Sequence, residues 1–157
     1  QLGQSPLRPS SVFNFFRPGF VPPGTAMAAA QAPAPEFQLV NETTVGGYLN
    51  FMQGVIRNGI ACPAPDVLQV VAGSPYLFDV QASYASELAL VLDAASLVAH
   101  LGLVLCAGRL SGATQRLIMG VLEATPLTAA SSEAARRDRV AAAVLLVMAS
   151  AEYLVQK

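Results

Sequence analysis

The sequence predicts an all-α fold: an irregular helical bundle of about five helices, preceded by an ordered extended arm rich in Pro and Phe. Three observations carry that prediction. From residue 41 onward apolar residues recur with helical spacing, Ser, Thr, Asn, Asp and Gly punctuate the pattern at helix-length intervals, and no stretch alternates apolar with polar residues as a half-buried strand would.

Residues 1–35 form the arm, and 36–157 the helical lobe. Most of the eleven prolines lie in the arm, which neither helix nor ladder strand tolerates. Its stretch SVFNFFRPGFVPPG carries Phe13, Phe15, Phe16 and Phe20, enough apolar area to order a segment that composition alone would leave disordered. Pro18-Gly19 and Pro23-Gly24 supply the restricted and the permissive φ that turns require. The short APAPEF run at 32–37 reads as linker.

A first helix spans about 42–58, capped by Asn41 or Thr43 and ended by Gly59. Val45, Tyr48, Leu49, Met52, Val55 and Ile56 share one broad face, opposite Asn50, Gln53 and Arg57. Its glycines Gly46, Gly47 and Gly54 mark either close backbone packing or simple tolerance of weak positions. A short helix is expected at 66–72, between Pro65 and Gly73, followed by loop. Then come 84–92, and 94–106 with Asp93 as its cap, Leu97, Val98, Leu101, Val104 and Leu105 as its buried stripe, and Gly108 as its stop. Ser111 caps 112–124, with Leu117, Val121 and Ala124 inward and Pro126 beyond the end.

The last long helix runs from about Ser132 to Ala149. Glu133, Arg136, Arg137, Asp138 and Arg139 make its first turns a solvated face, whereas from Val140 it is apolar on every side. A helix apolar all round must be enclosed, so this half is expected at the centre of the core, with SAEYLVQK as a final turn.

Composition narrows the function. The chain is 54% apolar and 12% charged, against about 25% charged in a typical soluble domain, and it has a formal net charge of -1. No global field recruits nucleic acid. The uncharged run from Val140 to Ala151 is shorter than the roughly 20 residues that span a bilayer, so no transmembrane segment is expected. The opening QLGQSPLRPS has no basic and apolar leader, so the chain reads as a fragment or processed piece. Cys62 and Cys106 lack metal-type spacing and are either quiet thiols or one disulfide.

The runs SVFNFFRPGFVPPG, PEFQLVNETTVGGYLNFM, SLVAHLGLVLCAGRLSGATQRLI and VAAAVLLVMASAEYLVQK, in this order and spacing, resemble the C-terminal part of the bacterial domain of unknown function 1800 family. The resemblance implies a mostly helical protein several hundred residues long, usually exported to the periplasm or envelope and encoded beside a second exported family, numbered 1501. It implies no reaction. Ala151 stands where the family commonly has proline, which would let the last helix run on more smoothly.

No catalytic, cofactor-binding or metal-binding residue is expected, and no cofactor. His100 is the sole histidine; it shares a row with Asp93 and Ser96, but three side chains along one helix do not converge as a catalytic site requires. The candidate structural and interaction residues are Phe13, Asn14, Phe15, Phe16, Arg17, Pro18, Gly19 and Phe20 of the arm, together with Glu42. Arg17 is positioned to bind Glu42 or Glu36, or to stack on Phe15 or Phe16.

The leading functional reading is a structural and interaction module whose partners are the missing N-terminal part of the same protein or other subunits. The alternative is a non-catalytic wall of an enzyme or ligand-binding protein whose active site lies in that missing part. A third is a peripheral envelope subunit touching the membrane surface.

Overall fold

The computed structural model describes residues 7–9, 12, 14–62 and 77–154. Among these the chain is all-α apart from one short ribbon, and it divides into two compact units, Gln1–Phe51 and Met52–Lys157.

In the first unit the predicted turns form. The Phe20 N–H donates to the Arg17 carbonyl at 3.0 Å across Pro18-Gly19. Gly24 takes the left-handed φ of +72° that its turn requires. The Thr25 hydroxyl donates to the Pro22 carbonyl at 2.8 Å and accepts the Ala28 N–H at 3.2 Å, capping α1 (Ala26–Ala29). APAPEF is not plain linker: Pro35–Leu39 winds into a 3₁₀ helix with proline at its start, where a missing N–H costs nothing.

Helix α2 (Glu42–Asn58) begins in a reciprocal cap. Asn41 Oδ1 accepts the Thr44 N–H at 3.0 Å and Thr44 Oγ1 accepts the Asn41 N–H at 2.9 Å, so Asn41 rather than Thr43 is the cap. Gly59 ends the helix at φ +85°, where a Cβ would collide with the Val80 carbonyl. A Cβ at Gly46 or Gly54 would meet nothing within 4 Å, so those glycines do not mark close packing. Of the face assigned to this helix only Ile56 is buried, and Val45 and Leu49 are exposed.

In the second unit β1 (Ile60–Cys62) pairs antiparallel with β2 (Leu77–Val80), with an irregularity between Ile60 and Ala61. Elements of three and four residues are too short to show alternation, which is why the sequence revealed no strand. The helix expected at 66–72 lies outside the described residues. Five helices follow: α3 (Ala85–Leu90), α4 (Ala94–Cys106), α5 (Gly112–Glu123), α6 (Glu133–Met148) and α7 (Ala151–Leu154). Asp93 and Ser111 cap α4 and α5 as expected, and Ser132 caps α6. At the end of α4, Ala107 and Gly108 both take left-handed φ, and the Gly108 N–H reaches the Gly102 carbonyl at 3.0 Å.

The core sits where α4, α5 and α6 pack together, closed by α3 and α7. Leu97, Val98, Val140, Ala143 and Val147 are 0% exposed, which puts the apolar half of α6 at the centre as predicted. The stripe predicted on α4 is buried at Leu97, Val98 and Leu101 but not at Val104, and the one predicted on α5 is misassigned throughout. In α4, Val104 is exposed while Ala94, Gly102 and Cys106 are buried; in α5, Ile118 and Leu122 face the core whereas Leu117, Val121 and Ala124 face outward. Both stripes of α5 are apolar at helical spacing, so periodicity alone does not choose between them. The last helix does not run on through Ala151 either: α6 stops at Met148, the Ser150 N–H turns back to the Val147 carbonyl at 3.0 Å, and α7 begins afresh.

Candidate functional site

The second unit exposes several large aliphatic side chains on two of its packed helices. Helix α4 contains no Asp, Glu, Lys or Arg, and on its outward side stand Leu103 at 66% exposure and Val104 at 60%. On α5, which packs against it, Leu117 is 73% exposed and Val121 55%, with the exposed small residues Ala113 and Gly120 beside them. Single exposed leucines are ordinary, whereas several on adjacent helices mark a surface suited to apolar contact. At about 1.5–3 kcal/mol for each large aliphatic side chain taken fully out of water, covering all four would stabilise an assembly by several kcal/mol at most.

Several charged side chains hold the unit together. Arg139, read in the sequence as part of a solvated face, donates through Nη2 to the carbonyls of Leu122, at 2.9 Å, and Thr125, and through Nη1 to that of Val91 at 3.4 Å. One guanidinium thus donates to carbonyls at the end of α5 and just after α3. The Glu133 to Arg137 pair, at 2.8 Å, is the solvated i,i+4 contact expected there, and Arg57 of α2 meets Asp138 at 3.0 Å.

Glu152 of α7 reaches the start of α5, accepting the Ser111 N–H at 3.2 Å and the Thr114 hydroxyl at 2.8 Å. Hydrogen bonds from Ser111 and then Thr114 lower its pKa to about 2, a carboxylate settled on a helix N-terminus. The sequence reading missed both roles. Their signals are faint: Arg139 is the last charge before the apolar run, and Glu152 the lone acid after it.

His100 does not join an Asp93, Ser96, His100 row. Its Nε2 lies 3.0 Å from Glu87 Oε1 on α3, while the Ser96 hydroxyl donates to Asp93 Oδ2 at 2.5 Å and lowers that carboxyl's pKa. Burial, and then the Glu87 charge, raise the Tyr84 pKa; the Tyr84 hydroxyl donates to the Ile56 carbonyl at 3.1 Å. Cys106 is a free, buried thiol whose pKa is raised by burial and then by Glu152, which keeps it protonated and unreactive.

A cleft of about 490 Å³ opens between the end of α2, residues 81–84 and the start of α6. That volume falls in the range of small-molecule sites, about 300–1,000 Å³. Its charged rim residues Arg57, Arg137 and Asp138 are already paired, and its floor is Ile56, Val140 and Ala141. Asn14, Arg17 and His100 do not line it. Among the described residues no group of three or more His, Cys, Asp or Glu is placed to hold a metal ion, and no helix is long and apolar enough to cross a membrane.

The arm residues are placed as follows. Asn14 is exposed with a left-handed φ of 63°; Phe15, Phe16 and Phe20 are half-buried; Arg17, Pro18 and Gly19 are exposed at the turn. Arg17 is joined to the 3₁₀ helix through its backbone, its N–H donating to Gln38 Oε1 at 2.8 Å. Glu42 is exposed in the first turn of α2, where a negative charge complements the helix dipole. Phe13 lies outside the described residues.

Comparison with known proteins returns one match. A family model described as "Protein of unknown function (DUF1800)" covers residues 1–155. No curated protein and no solved structure matches the chain.

Proposed function

The chain belongs to the DUF1800 family, and on that premise we propose that it is a structural and interaction lobe of a larger exported bacterial protein, associated with the periplasm or cell envelope. The observation that carries this reading is the exposed aliphatic side chains of α4 and α5, with Leu103, Val104, Leu117 and Val121 standing in solvent. Further polypeptide of the same protein covers that face. The lobe itself contributes packing rather than catalysis: Arg57, Arg139, His100 and Glu152 are engaged in tying its own helices together.

The test is the solution behaviour of residues 1–157 by light scattering over a concentration series, with an apolar dye as a second probe. Self-association and dye binding are expected, both falling in the triple variant Leu103→Gln, Leu117→Gln, Val121→Gln while the circular dichroism stays helical. A parent chain that remains monomeric at high concentration and leaves the dye dark would overturn the proposal.

A further inference from the structure

We draw no further inference here: the strongest candidate, the outward apolar face of α4 and α5, is the surface on which the proposed function already rests, and nothing in the structure shows which particular polypeptide covers it.

Discussion

The second half of α6 and the outward stripes of α4 and α5 are built from the same residues, Val, Leu and Ala, yet they meet opposite fates. Val140, Ala143 and Val147 are fully enclosed because α3, α4, α5 and α7 all pack against α6. Leu103 and Leu117 stand mostly in solvent because their helices spend their other faces on that same core. Apolar composition states how much surface wants to leave water; neighbours decide which surface does. A bundle this rich in aliphatics has more such surface than one core can absorb, and the excess accumulates on the helices packed around α6.

Substitution should separate the two regions most sharply at leucine. Leu97→Ala empties a fully enclosed site and is expected to cost about 2–5 kcal/mol, whereas Leu117→Ala on the outer face should change stability by no more than about 0.5 kcal/mol. Urea unfolding of both variants measures the difference. Equal losses would mean that Leu117 is covered in solution and that the two regions are not distinct.

Arg139 tests whether the enclosed region also depends on polar closure at its ends. Arg139→Ala leaves the carbonyls of Leu122 and Thr125 without their charged donor and should cost about 1.5–3 kcal/mol. Arg139→Lys should recover only part, since an ammonium lacks the planar fork that reaches several carbonyls at once. Full recovery by lysine would show that charge near the end of α5, rather than the fork, supplies the stabilisation. Ser132→Ala, which removes the hydroxyl that accepts the Ala135 N–H at 3.2 Å, is a smaller perturbation of the same helix, about 1 kcal/mol by thermal unfolding.

Much of this architecture was legible from local chemistry. Asp93 and Ser111 announced their helices because a cap is a contact between a residue and the backbone two or three positions on, wholly contained in the sequence. The centre of the core was legible for a similar reason: a helix apolar on all sides has one destination. The outward stripe was not, since Leu117 and Val121 are spaced as well for burial as Ile118 and Leu122. Choosing between them requires knowing where α4 and α6 lie. Arg139 and Glu152 were opaque because their partners are backbone groups 14 to 48 and hydroxyl or amide groups 38 to 41 positions away. His100 similarly found Glu87 on another helix rather than the residues of its own row.

The finest probe of the boundary between enclosed and open regions is the Glu152 contact, because α7 packs on α4 and α6 and is pinned to α5 by that one carboxylate. Its folded pKa of about 2 lies below the ordinary glutamate value of 4.5, so the folded state favours the charged form. The stabilisation is therefore fully present above 4.5 and is lost as pH falls through about 2. Glu152→Gln should be less stable than the parent at neutral pH, with the gap narrowing through that window as the parent's carboxyl takes up its proton. The group is well solvated, so the effect should be the smallest of the four, read as a shift in the acid limb of a thermal-stability profile. A gap that does not change between pH 4.5 and about 2 would mean that the glutamine differs from glutamate in shape or packing, and that the charge on the α5 N-terminus holds nothing in place.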